Sequence, residues 1–103
     1  MSQQEKRSKE FGEKREEAPS RVFATRGSFP GEINLQWDAV EGARRYVLQM
    51  SKIKDTKWIQ VDIVTEPYYM FTGLDDKNEY KFRVAAVLKD GQGEWSEVIS
   101  KQD

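Results

Sequence analysis

The chain has 103 residues, enough for one domain with a modest hydrophobic core. Its 17 basic and 18 acidic residues argue against a nucleic-acid-binding module, which usually shows a basic stripe, and give no reason to expect attraction to an acidic membrane surface. Cysteine and histidine are absent, so there is no disulfide framework and no histidine ligand or general base. No apolar run approaches the ~18 residues of a membrane helix, and no membrane insertion is expected.

Residues 1–18 differ in composition from the rest of the chain. Nearly all are Gln, Glu, Lys, Arg or Ser, and Phe11 is the only aromatic residue among them. Because such a segment buries too little apolar surface to offset the entropy of ordering, we expect a flexible polar arm. Charged pairs four residues apart favour a transient helix, in which Phe11 would contact a partner or a second copy. The arm lacks the apolar core of a signal peptide, which predicts a cytoplasmic product, whereas a fragment of a secreted chain would be extracellular.

Seven segments with strand character follow Pro19 at intervals of about ten residues. The clearest is 80–87, where apolar and polar side chains alternate with the period of two that marks a strand with one buried face. Turn residues such as Pro30, Gly31 and Gly91 separate the segments. Two facing sheets would bury the apolar sides, so residues 19–103 are predicted to form a β-sandwich. The predicted strands are residues 20–26, 32–38, 45–51, 58–64, 69–71, 80–87 and 95–100.

The alternating apolar positions define the predicted core. In the fourth strand, Ile59, Val61 and Ile63 share the parity that would face it. Tyr80 follows Leu74 and a polar loop, which fits the tyrosine corner of β-sandwiches, where the phenol hydroxyl bonds the backbone upstream. A single cluster between the sheets is predicted to contain Trp37, Tyr46, Leu48, Phe71, Leu74, Phe82 and Val84.

Four sequence blocks occur in an order and spacing typical of one protein family. They are Ile33-x-Leu35-x-Trp37-Asp38, Gly42-Ala43-x-x-Tyr46-x-Leu48-x-Met50, Thr72-Gly73-Leu74 with Tyr80-x-Phe82-x-Val84-x-Ala86, and Gly93-Glu94-Trp95-Ser96-Glu97. Over residues 19–102 the chain thereby resembles a fibronectin type III domain. The resemblance implies a seven-stranded immunoglobulin-like β-sandwich that serves mostly as a binding and spacing module. In place of the family's proline-glycine after Leu74 stands Asp75-Asp76-Lys77-Asn78, so Asp and Asn side chains must build that turn.

The family's best-known binding motif does not carry over to this chain. Some members bind integrins through Arg-Gly-Asp in the loop before the last strand, whereas this loop reads Asp90-Gly91-Gln92-Gly93. Trp95-Ser96 resembles half of the tryptophan-serine box of cytokine receptor domains, but Val98-Ile99-Ser100 replaces the other half. Asp75 and Asp76 are the nearest pair of carboxylates. A solvated turn explains them better than catalysis or calcium binding, which need a cleft or alternating ligands around a glycine.

The sequence therefore predicts a protein with no catalytic residue set, metal site or cofactor, and not an enzyme. Its predicted function is protein–protein interaction, through a sheet face or the loops at one end of the sandwich. A second interpretation is a structural subunit that decorates or spaces a larger assembly through residues 1–18, and a third is a carbohydrate-binding accessory domain. A protein partner or a larger protein assembly is expected in the first two cases, and the oligomeric state stays open.

The candidate binding surface is centred on Trp58. Its parity is opposite to that of Ile59, so it is predicted to point away from the core. Tryptophan and arginine are enriched at binding hot spots, and Phe11 of the arm is a further candidate contact. The alternative is that Trp58 lies flat over an arginine as a local cation–π contact without a partner. The predicted surface consists of Trp58, Val47, Ala85 and Val87, rimmed by Arg45, Lys81 and Arg83.

Overall fold

Strands make up the regular structure of residues 18–101, the part of the chain that the computed structural model describes. The all-β prediction is confirmed. Eight strands are present among these residues instead of the predicted seven, because residues 91–100 form two short strands, of which the first lies mostly in the predicted turn before residue 95. The strands are β1 (Phe23–Arg26), β2 (Ile33–Gln36), β3 (Arg45–Lys52), β4 (Ile59–Val64), β5 (Tyr68–Phe71), β6 (Tyr80–Leu88), β7 (Gly91–Trp95) and β8 (Ile99–Ser100).

The strands form two antiparallel sheets. One has the order β1-β2-β5, and the other has the order β4-β3-β6-β7, with β8 paired to the beginning of β6. Buried side chains from both sheets join in one cluster, which gives the predicted sandwich. Of the predicted arm, residues 1–18, only Ala18 lies within the described residues, so the division of the chain at that point stays a prediction.

The central strand of the larger sheet is β6. It pairs with β3 over most of its length, from Tyr80 opposite Lys52 to Val87 opposite Arg45. Its other side pairs first with β8 and then with β7. Because neighbours on both sides fix its register, all of its inward side chains between the ends are fully buried, namely Phe82, Val84 and Ala86.

The break between β7 and β8 occurs at Ser96. The Val84 backbone N–H donates a hydrogen bond to Ser96 Oγ at 3.0 Å, and the Ser96 N–H donates to the Val84 carbonyl at 2.7 Å. The serine hydroxyl thus takes the place that a backbone carbonyl has in a regular ladder. Since Ser96 is buried, this side-chain bond satisfies a donor that water cannot reach.

The core lies between the sheets and is rich in aromatic rings. Trp37 and Tyr46 pack edge to face with their ring centroids 5.2 Å apart, and the Phe71 and Phe82 centroids are 4.7 Å apart. Leu74 and Tyr80 pack against the cluster as partly buried residues. The buried members are Val22, Ala24, Ile33, Leu35, Trp37, Tyr46, Leu48, Phe71, Phe82, Val84 and Ala86.

The turn before β6 is built by the side chain of Asp75. Its Oδ1 accepts a hydrogen bond from the Lys77 backbone N–H at 2.9 Å, and its Oδ2 accepts one from Asn78 Nδ2 at 3.1 Å. The Asp75 backbone N–H donates to the Tyr80 hydroxyl at 3.2 Å, which is the contact expected of a tyrosine corner. Local Asp and Asn hydrogen bonds thereby replace the missing proline-glycine.

The predicted inward face of β4 holds for Val61 and is wrong for Ile63. Ile59 is 60% exposed and Ile63 is 49% exposed, while Val61 and Val64 pack against the core. The pairing with β3 shifts register so that Val61 is an extra residue, a β-bulge that reverses the parity of everything after it. Ile63 consequently lies opposite Val47, on the outer face of the sheet.

Candidate protein-binding site

Three side chains stack in a row on the outer face of the larger sheet. The Arg83 guanidinium carbon lies 4.2 Å from the ring centroid of Trp58 and 4.3 Å from that of Trp95. Lys81 Nζ is 5.4 Å from the Trp58 centroid. These distances are within cation–π range, so the guanidinium is held between two indoles. We call the outward surface of β4, β3, β6 and β7 that carries this row the tryptophan face.

Each member of the row is positioned by a different strand. Arg83 lies on β6 opposite Gln49 of β3, whose Oε1 accepts hydrogen bonds from Arg83 Nε at 2.9 Å and Nη2 at 2.7 Å. Trp95 ends β7 opposite Ala85, and Trp58 immediately precedes β4. The two hydrogen bonds and the two ring contacts therefore fix the plane of the guanidinium before any partner is bound.

Packing in the row also affects the pKa of the arginine. Burial lowers the pKa of the Arg83 guanidinium below its ordinary value, since the charged form loses hydration. Arginine nevertheless remains protonated in proteins. The row therefore presents a fixed positive charge between two aromatic faces, a combination that can receive a carboxylate or a further aromatic ring.

The predicted surface residues differ in how far solvent reaches them. Val47 is 6% exposed and Ala85 is fully buried, so they form an apolar layer beneath the outer side chains and not an exposed patch. Trp58 and Val87 are half-buried, and Arg45 is exposed opposite Val87. The contact of Trp58 with Arg83 has the geometry of the local cation–π alternative, although part of the indole remains open to solvent. The predicted contact Phe11 lies outside the described residues.

Sequence reasoning missed two members of this face. Trp95 belongs to a strand whose phase is ambiguous from the sequence, and the β6–β7 pairing shifts register between Ala85 and Val87. Ile63 was assigned to the core by parity, and the bulge in β4 places it on the outer face. The outward parity of Ala85 follows from β6 alone, but its pairing with Trp95 lies beyond that register shift, so alternation in the sequence gives no signal that places the tryptophan.

The smaller sheet carries a second exposed apolar surface. Phe23, Gln36 and Tyr68 form one row across its three strands, and Met70 lies in the next row. Phe23, Tyr68 and Met70 are each about half exposed. The rings of Phe23 and Tyr68 take part in none of the ring stacks or cation–π contacts found among residues 18–101, in contrast to Trp58 and Trp95.

Three further features of residues 18–101 concern a cavity, metal ligands and helices. A cavity of about 350 Å³ lies between the β1–β2 turn and the β5–β6 turn, with Phe29, Leu74 and Tyr80 in its lining. In this part of the chain no three His, Cys, Asp or Glu residues are grouped as metal ligands would be. It also includes no apolar helix of membrane-spanning length.

Comparison with known proteins gives the same architecture. The receptor-type tyrosine-protein phosphatase F of Danio rerio is 37% identical over 70 residues, which is 65% of this chain, and the chain spans 4% of the length of that relative. An Fn3-like protein from Clostridium thermocellum superposes with a TM-score of 0.74 at 25% identity, covering 82% of this chain and 88% of the other. A structure of titin kinase and its flanking domains matches with a TM-score of 0.72 at 23% identity, covering 84% of this chain and 16% of that one. The family model of the fibronectin type III domain matches residues 17–102, and the chain belongs to this family.

Proposed function

We propose that the chain is a non-catalytic protein–protein interaction module that binds its partner through the tryptophan face. The observation that carries the proposal is the row of Trp58, Arg83 and Trp95 on an open sheet surface. Tryptophan and arginine are the side chains most enriched among residues that dominate binding energy. The buried layer of Val47 and Ala85 supports the row from below.

The family supports this class of function. Fibronectin type III domains act as interaction or structural modules, are commonly part of larger protein assemblies, and are generally non-catalytic, although they also occur as modules within enzymes. Which partner a member binds depends on its surface residues and not on the fold. The side chains of the tryptophan face are therefore the part of this chain that would select a partner.

The row is also arranged in a way that favours tight binding. Gln49 and two indoles already immobilise the Arg83 side chain, so a partner would not have to meet the entropic cost of ordering it. Half-buried Trp58 and Val87 offer apolar contact around that charge. Exposed Ile63 extends the apolar area along the β4 edge of the same face.

The proposal is tested by affinity capture from the native source with wild-type protein and Trp58→Ala. We expect the variant to lose the specifically captured protein while its thermal midpoint changes little, because a partly exposed cation–π pair contributes only about 0.5–1 kcal/mol. Phe29→Ala is the matched control, since Phe29 is an exposed aromatic residue in the β1–β2 turn. Capture by Trp58→Ala equal to that by wild type would contradict the proposal. Phe11→Ala in the same assay tests the predicted contribution of the arm.

A further inference from the structure

Five cationic side chains lie at the end of the larger sheet where Trp58 precedes β4. Lys52, Lys54 and Lys57 lie in or next to the turn between β3 and β4, and all three are exposed. Lys81 and Arg83 lie on β6 and make the cation–π contacts with Trp58. The whole chain has a formal net charge of −1, so this is a local concentration of positive charge and not a generally basic surface.

These cations are not neutralised within the described domain. None of the five forms an ion pair with a carboxylate of residues 18–101. Lys81 Nζ donates a hydrogen bond to the backbone carbonyl of Asp55 at 3.0 Å, and Arg83 donates to the amide of Gln49, both uncharged acceptors. The acidic residues nearest in the chain are Asp55 within the turn and Glu79 before β6, so positive charge is in excess.

We propose that the ligand of the tryptophan face is an acidic segment of a partner protein, with carboxylates on either side of an apolar side chain. The carboxylates would pair with the turn lysines and Lys81, and the apolar side chain would pack on Trp58. This inference rests on the proposed function and names the chemistry of the partner. Opposite charge on the two surfaces accelerates association and selects against basic partners.

The distribution of charge favours a short acidic segment over a nucleic acid. A single-stranded nucleic acid needs a positively charged groove that follows its backbone over several nucleotides. Beyond Arg83, the next outward residues of β6 are Ala85 and Val87, and Arg45 is the one cation opposite them. The positive surface therefore ends within the face.

The chemistry is tested with defined probes by NMR on the isotope-labelled full chain. The probe is a nonapeptide with phenylalanine at its centre and glutamate elsewhere, and it is compared with the same peptide carrying glutamine and with an oligothymidylate of equal length. We expect the acidic peptide to shift the indole N–H resonance of Trp58 and the amides of residues 52–58, with affinity falling as salt is added. Equal binding of the glutamine peptide, or tighter binding of the oligothymidylate, would overturn the inference.

The lysines are tested by combining Lys52→Gln, Lys54→Gln and Lys57→Gln. Losing three exposed charge pairs should weaken binding of the acidic peptide about tenfold. A control with the same change in net charge combines Arg44→Gln, Lys77→Gln and Lys89→Gln, all exposed and outside the cluster, and should bind as wild type does. If the lysine variant captures the native partner as wild type does while Trp58→Ala loses it, the acidic chemistry is wrong and the proposed function stands. If Trp58→Ala also captures it, both are wrong.

Discussion

Strands β6 and β4 belong to one sheet and have similar apolar character, yet only β6 has the faces that its sequence predicts. In β6 the inward residues Phe82, Val84 and Ala86 are all fully buried. In β4 the predicted inward residues are Ile59, Val61 and Ile63, and of these only Val61 packs against the core, while the two isoleucines are exposed. The two strands differ in their neighbours, since β6 is paired on both sides and β4 is an edge strand.

The comparison shows when alternation determines burial. A strand held between two neighbours cannot slip or bulge without breaking hydrogen bonds on both sides, so its parity persists along its length. An edge strand can admit an extra residue at the cost of disturbing one ladder, and Val61 is such a residue in β4. A bulge also makes the open edge of the sheet a poorer template for pairing with another chain.

The largest expected effect is a loss of stability that should be much greater for a truncation in β6 than for one in β4. Phe82→Ala should lower the free energy of unfolding by about 3–5 kcal/mol, because it leaves a cavity in a fully buried site. Ile63→Ala should cost less than about 1 kcal/mol, since the side chain is half exposed. Urea unfolding measures the free energy of unfolding of both variants, which can be compared with wild type when the m-value is unchanged. Similar costs for the two variants would mean that the outward position of Ile63 is wrong.

The same contrast explains how much could be predicted from the sequence. The all-β fold, the faces of β6 and the Asp75 turn follow from residues that are near one another in the chain, through alternation and local hydrogen bonds. Ile63 and Trp95 could not be placed, because each follows a register shift between two consecutive strands, and alternation within one strand does not reveal such a shift. Both belong to the tryptophan face, so its composition was the least predictable part of the domain.

A smaller loss of stability is expected at the break between β7 and β8, where a side chain and not a backbone carbonyl accepts a hydrogen bond from β6. Ser96→Ala removes the acceptor of the Val84 backbone N–H, which is buried. An unsatisfied buried donor costs about 1–3 kcal/mol. Ser28→Ala, in the exposed β1–β2 turn, is the control and should leave stability unchanged. Equal thermal midpoints for Ser96→Ala and wild type would show that this bond is not needed to hold β6 in register.

The smallest effect concerns the edge strands of the two sheets, which meet at Tyr69 of β5 and Asp62 of β4. Burial first, and then the hydrogen bond and negative charge of Asp62, raise the pKa of the Tyr69 phenol above its ordinary value of 10.0. The fold therefore favours the protonated phenol. This contribution to stability is complete below the ordinary value and is lost as the pH rises through the pKa of the folded state.

Asp62→Asn should lower the pKa of Tyr69 towards its ordinary value. The part of the increase that is caused by burial should remain. The asparagine keeps an oxygen to accept the Ile63 backbone N–H, which Asp62 Oδ1 accepts at 2.7 Å, so the local backbone should be preserved. The measurement is the phenolate absorbance on alkaline titration, with Tyr69→Phe subtracted to isolate this residue. Glu66→Gln, a neighbouring exposed carboxylate, is the control and should leave the curve in place. An unchanged curve in Asp62→Asn would mean that Asp62 and Tyr69 do not interact across the two edge strands.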